Sequence, residues 1–186
     1  GVANEQLLSN KTGVNAVLIG AYSLLDGVGS GPVNTSAVSN WIYGSVASDD
    51  AYKGSDVGDQ SQLTTIERYI VQADIGAYND KWVSLYDGIS RSNDVIRLLG
   101  KAADMNEAEK AQAIGAARFL RGWYHFVAKK MWNMVPYVDE NVTDFINLPN
   151  DKDIWGNIEA DFQFAIDNLS PTKAQVGRAS KWTAKA

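Results

Sequence analysis

Between residues 104 and 132 the chain carries a segment that dictates what its neighbours must be. Ala111, Ala113, Gly115, Ala116 and Ala117 form a patch of small side chains, and Phe119, Leu120, Trp123, Tyr124, Phe126, Val127 and Met131 follow it. At helical spacing the aromatic half is apolar on nearly two full faces, which leaves one strip for Arg118, Arg121, His125 and Lys129. A helix of that kind needs partners on both sides, and its small-residue patch lets one of them approach closely. It is the central element of a helical array. Asp104 and Glu107 have the spacing of a capping box, which predicts the helix start there.

The other periodic segments supply the partners. Val14, Val17, Leu18, Ala21, Leu24 and Leu25 predict a helix over residues 12–26, capped by Ser9 or Thr12 and ended by Gly27 and Gly29. Ile75, Tyr78, Trp82, Leu85, Ile89, Ile96 and Leu99 predict a second over 75–99, with Ser92 in the one gap and Gly100 placed for a left-handed end. Trp155, Ile158, Phe162, Ala165, Ile166 and Leu169 mark the buried stripe of a helix over 152–169. Ser180 is placed to cap one more. The expected fold is all-α: helix-turn-helix pairs of the tetratricopeptide type, without a strict internal repeat, plus one long loop region over 27–73.

Composition narrows the function. With 22 acidic against 17 basic residues the net charge is -5, the wrong sign for a nucleic-acid surface. There is no Cys and one His, so thiolate zinc sites, disulfides and cysteine nucleophiles are excluded, and no cofactor is implied. No run of eighteen apolar residues offers a membrane span. Six Trp and eight Tyr outnumber five Phe, and amphipathic aromatics of this kind serve binding surfaces as well as cores.

The loop region holds the candidate site. Trp41, Tyr43 and Tyr52 sit there outside any helical stripe, and Asn34, Asn40, Asp49 and Asp50 accompany them. Aromatic rings stack on the apolar faces of sugars while amides and carboxylates bond the hydroxyls. The ligand-binding set expected from this loop is Trp41, Tyr43, Asn40, Asp49, Asp50 and Tyr52; the alternative is that the aromatics plug the loop onto the helices.

Other motifs carry less. Gly27-Val-Gly29-Ser-Gly31 follows a helix and lacks the Lys-Ser/Thr ending of a phosphate loop. Asp56 to Glu67 has EF-hand length, but Ser61 stands where the turn needs Gly and Gly58 where a ligand belongs, so turn-forming aspartates are the better reading, with an irregular calcium site left open. Asp49 and Asp50, adjacent in an extended stretch, point opposite ways and cannot flank a glycosidic bond. His125 has no nucleophile at a motif-like position and is expected to face a carboxylate on another helix, as are Arg118 and Arg121. Trp82, Trp123 and Trp155 are expected in the core.

Five segments in order resemble the N-terminal part of the SusD/RagB family of cell-surface glycan-capturing lipoproteins of Bacteroidetes. They are Ile19-Gly-Ala-Tyr-Ser-Leu-Leu25; Ala47-Ser-Asp-Asp50; Trp82 to Tyr86 with Gly88-Ile-Ser-Arg-Ser-Asn93-Asp-Val-Ile96; Ala116-Ala-Arg-Phe-Leu-Arg-Gly-Trp-Tyr-His-Phe126 running on to Val135-Pro136; and Ile158 to Leu169 with Gly177-Arg-Ala-Ser-Lys-Trp182. Asn133 stands where the family has Gly, and Asn is the next-best residue for a left-handed helix end. The resemblance implies a non-enzymatic protein, lipid-anchored at the outer-membrane surface, that captures oligosaccharides and passes them to a TonB-dependent SusC-like transporter. It also implies that the chain is an N-terminal piece, with the lipid-bearing Cys and the C-terminal part outside it. No family motif fixes the ligand site. The competing function is a helical protein-interaction scaffold with no ligand site of its own; a glycoside hydrolase lacks a separated carboxylate pair.

Overall fold

The computed structural model describes residues 7–26, 41–173 and 175–186. Every regular element among them is helical: α1 (Lys11–Ser23), a π-helical turn (Trp41–Val46), a 3-10 turn (Ser61–Leu63), α2 (Thr64–Glu67), α3 (Gly76–Leu99), α4 (Glu107–Trp132), α5 (Trp155–Asn168) and α6 (Lys181–Lys185). The chain sorts into two compact units, Gly1–Tyr22 with Asp87–Ala186, and Ser23–Tyr86. The Gly27–Gly31 run and the expected stop of the first helix lie outside the described residues.

In the first unit α4 is the central element that its two apolar faces require. Gly115 faces Leu169, Gly122 faces Asp161 and Phe162, and Phe126 meets Trp155 edge-on at 5.8 Å, so α5 runs antiparallel to α4. On its other side α4 meets α3, also antiparallel, with Gly88 under the Tyr124 ring and Asn93 bonded to Arg121. The glycines matter here because a Cβ on Gly88 would lie 2.5 Å from the tyrosine ring. Tyr124 itself is fully buried, and its hydroxyl donates to the Ala21 carbonyl at 2.6 Å.

That last bond shows how α1 is tied in. The final carbonyls of a helix have no partner within it. Tyr124 serves Ala21, and Arg91 Nη1 donates to Gly20 at 3.0 Å. At the other end the Asn10 side chain, rather than Ser9 or Thr12, accepts from the Gly13 amide at 3.0 Å. The Asp104 carboxylate accepts from the Lys11 amide at 2.9 Å. Asp104 is therefore not the cap of α4. The capping box is formed two residues on, by Asn106 and Glu109. Ser180 and Thr183 make another box at α6, as Ser180 suggested.

Two helix ends differ in kind. Asn133 closes α4 at φ 61°, its amide on the Lys129 carbonyl, as its sequence position implied. Gly100 does not adopt the left-handed end expected of it: among the described glycines only Gly177 has positive φ, and α3 ends as the Lys101 amide turns back onto Leu98. Ser92, the gap in the α3 stripe, is buried and satisfies its hydroxyl on the Gly88 carbonyl. Trp155 departs from the expected buried stripe; it starts α5 and is 38% exposed.

The polar strip of α4 is consumed by structure. Arg121 grips the Asp161 carboxylate with Nε at 2.8 Å and Nη2 at 2.7 Å, Arg118 adds a bond at 2.7 Å, and Tyr137 donates a third partner's bond at 2.9 Å. Burial acts to lower the Arg121 pKa; the hydrogen bond and charge of Asp161 outweigh it, so the guanidinium stays charged. The hydrogen bonds of His125 go to the backbone, while the Asp161 carboxylate on the next helix lies near enough to favour its charged form. Its Nε2 accepts from the Val138 amide at 3.1 Å, so the proton sits on Nδ1, 3.0 Å from the Arg121 carbonyl. Complete burial holds its pKa down at about 4. The strip pins segment 134–142 onto the helices.

Candidate functional site

The second unit is built where hydrophobic periodicity fails. Its core is Ile42, Leu63, Ile66 and Ala77, with Trp41, Tyr43, Ala47, Ile75 and Tyr78 packed against it. The region expected as an aperiodic loop thus contains the π-helical turn, the 3-10 turn and α2, each too short to register as a period. Tyr43 stacks on Tyr78 at 5.6 Å and donates its hydroxyl to the Ala77 carbonyl at 2.7 Å. The buried Lys81 ammonium lies 5.6 Å from the Tyr43 ring, and burial lowers its pKa to about 8. Trp82 and Tyr86 stack at 4.4 Å further along α3.

A cleft of about 430 Å³ opens on this core. Ile42, Leu63, Ile75 and Ala77 give it an apolar floor; Gln60, Gln62, Thr65, Asp74 and Asp80 give it a polar rim. The Gln62 amide donates to Gln60 at 2.8 Å, which orients the pair. Thr65 Oγ1 is buried and has no hydrogen-bond partner. The volume falls within the range of small-ligand pockets.

The residues expected from the sequence divide around this cleft. Trp41 and Tyr43 are half-buried against its supporting core and do not line it. Asn40 lies outside the described residues. Asp49 is exposed at φ 66°, so it and Asp50 form a turn after the π-helical segment, not an extended strand. The Ser48 hydroxyl donates to Asp50 at 2.9 Å. Tyr52 is 52% exposed. It precedes a turn in which the buried Lys53 ammonium donates to the Val57 and Asp59 carbonyls, while the Asp59 carboxylate accepts from Ser55 and Asp56. Those hydrogen bonds hold Asp59 below the usual carboxylate pKa and make it a turn former, the reading preferred to a calcium ligand. No group of three or more potential metal ligands occurs among the described residues.

Sequence reasoning missed Gln60, Gln62, Thr65, Asp74 and Asp80. A signal exists in the amide-rich run just before Leu63, and in Asp74 and Asp80 on either side of the α3 start. Tyr69, outside the cleft lining, is held at φ 56° and is 66% exposed. A bulky residue in that backbone region is uncommon and costs energy, so an aromatic displayed there stands out.

Comparison with known proteins follows the same line. Residues 6–186 match the SusD-like family described as starch-binding associating with outer membrane. SusD-like protein P2 of Formosa agariphila is 26% identical over 71% of this chain and 28% of its own length. Among solved structures, a laminarin binding SusD-like protein covers 95% of this chain at TM-score 0.77 and 23% identity. Surface glycan-binding protein A from Bacteroides uniformis covers 92% at 0.76 and 23%. Its counterpart from Bacteroides thetaiotaomicron, in complex with laminarihexaose, covers 94% at 0.74 and 22%. The chain spans 38%, 39% and 37% of these three chains, and the likeness establishes a shared fold.

Proposed function

The chain belongs to the SusD-like starch-binding family, and from that premise we propose that it takes part in capturing oligosaccharides at the outer-membrane surface, for transfer to a TonB-dependent SusC-like transporter. The protein is held there by an N-terminal lipid, and it binds without catalysis. The observation that carries the reading is the cleft on the second unit, where amides and carboxylates ring an apolar floor. A pyranose is amphipathic in the same way, with hydroxyls around its edge and C–H groups on its faces. Tyr52, Asp49 and Asp50 are the exposed members of the expected set and make the outer contacts; Trp41 and Tyr43 pack against the core under the floor, and Asn40, outside the described residues, stays in the set on its sequence alone. The relatives bind laminarin and laminarihexaose, which makes β-linked gluco-oligosaccharides the first ligands to try.

The test is calorimetric titration with laminarihexaose and with malto-oligosaccharides, repeated on Gln62→Ala and Tyr52→Ala. Both side chains are exposed, so neither change disturbs the fold. Saturable binding that weakens severalfold in each variant supports the site. Binding untouched by either change moves the site elsewhere.

A further inference from the structure

The segment between α4 and α5 holds a feature that neither the helical scaffold nor the cleft uses. Asn141-Val142-Thr143 has the spacing of an asparagine-linked glycan acceptor, an Asn with a hydroxyl residue two positions on and no Pro between them. The same spacing occurs at Asn10-Lys11-Thr12, Asn34-Thr35-Ser36 and Asn168-Leu169-Ser170, so the motif alone decides nothing. The structure separates them. At Asn10 both ends of the amide are taken: Oδ1 accepts from the Gly13 amide at 3.0 Å, and Nδ2 donates to the Leu7 carbonyl at 2.8 Å. Asn168 Nδ2 donates to the Phe164 carbonyl at 2.8 Å, Leu169 after it is buried, and the Ser170 hydroxyl is engaged with Thr172 at 3.0 Å. Asn34 lies outside the described residues.

Asn141 differs on each count. It is exposed, its side-chain amide and the Thr143 hydroxyl make no hydrogen bond among the described residues, and residues 143–147 stand out as one exposed run, with Ile146 at 92%. The backbone beneath is held. The Asn141 amide donates to Asp139 Oδ1 at 2.9 Å, the Val142 amide donates to the Asp139 carbonyl at 3.2 Å, and Arg97 of α3 donates to the Glu140 carbonyl at 2.8 Å. Asp139 also sets a carboxylate two residues before the acceptor, which the other three sites lack, and a transferase can grip that charge with an arginine. We propose that Asn141 is a site of N-linked glycosylation, with a saccharide carried on a lipid pyrophosphate as donor. The Asn141 side-chain nitrogen forms a bond to the anomeric carbon, and the bond from that carbon to the phosphate oxygen breaks. The lipid pyrophosphate leaves with the electron pair, and the amide proton passes to the transferase. Such transfer takes place beyond the cytoplasm, and the family to which the chain belongs is described as associating with outer membrane. The site is separate from the cleft at Gln60–Asp80 and does not depend on glycan capture there.

The test incubates the folded full chain with a bacterial oligosaccharyltransferase and a lipid pyrophosphate-linked oligosaccharide, then reads the intact mass and maps the modified peptide. The expected result is the mass of one glycan added to the peptide that holds Asn141. The increment is lost in Asn141→Gln and in Thr143→Val, kept in Thr143→Ser, and unchanged in Asn10→Gln and Asn168→Gln. Asn141 and Thr143 are exposed and unbonded, so their variants keep the fold, which circular dichroism verifies. A folded chain left unmodified while a control acceptor peptide is glycosylated in the same reaction overturns the proposal. So does an increment confined to Asn10, Asn34 or Asn168, or one that survives Asn141→Gln.

Discussion

Asp161 is the residue on which most of the first unit's buried polarity converges. Its carboxylate accepts from Arg118, Arg121 and Tyr137, and none of it is exposed. Removing the charge leaves the buried Arg121 without its principal counter-ion, which costs about 3–5 kcal/mol in comparable sites. Asp161→Ala is therefore expected to lower unfolding free energy by that order, measured by urea denaturation. A loss under about 1 kcal/mol contradicts the network's role. His125 yields a pH prediction. Burial holds its folded pKa at about 4 against the 6.5 of a free imidazole, so the unfolded chain binds more protons between those values. Stability then rises with pH across that window, and about 3 kcal/mol is lost on going from pH 7 to below 4 through this group. In His125→Gln, whose carbonyl accepts from Val138 without titrating, the slope from pH 4 to 6.5 is expected to flatten. An unchanged slope assigns the acid sensitivity to other groups.

Among the elements, close helix approach is the feature most open to test. Gly88 lies in α3 beneath Tyr124, and a Cβ there meets ring carbons at 2.5–2.7 Å. Gly88→Ala is expected to destabilise by about 1–3 kcal/mol through overpacking, despite alanine's better helix propensity. Gly76→Ala, with nothing within 4 Å of the added atom, is expected to be neutral or slightly stabilising. Thermal denaturation of the pair decides whether the glycine requirement is local to the α3–α4 contact; equal shifts contradict it. The helices themselves were legible because their stripes repeat at 3.6 residues over three turns or more. Their caps were not. Both Asp104-x-x-Glu107 and Asn106-x-x-Glu109 satisfy the box spacing, and the choice is made by α1, whose Lys11 amide takes the Asp104 carboxylate from 93 residues away. Gly100 misled for a related reason, since a helix end turns tightly without positive φ when the following amide finds a carbonyl.

For the molecule as a whole, the readable part is the family-shaped scaffold and the unreadable part is the cleft. Arg118 and Arg121 were placed on acids of the next helix from their strip alone, and Asp161 fulfils that. Gln60, Gln62 and Thr65 carry no period because the turns that present them are three or four residues long. Conspicuous aromatics drew attention to Trp41 and Tyr43 instead, which support the cleft floor and do not line it. No described helix is long and apolar enough to cross a membrane. The family to which the chain belongs is described as starch-binding and associated with the outer membrane, and the proposed glycan cleft is what remains to be tested in this chain. Titration with laminarihexaose, followed by intrinsic tryptophan fluorescence and confirmed by calorimetry, tests it most directly. One saturable site is expected, weakened severalfold by Gln62→Ala. A folded chain that stays silent toward laminarihexaose and malto-oligosaccharides alike contradicts it and leaves the helical array as a scaffold.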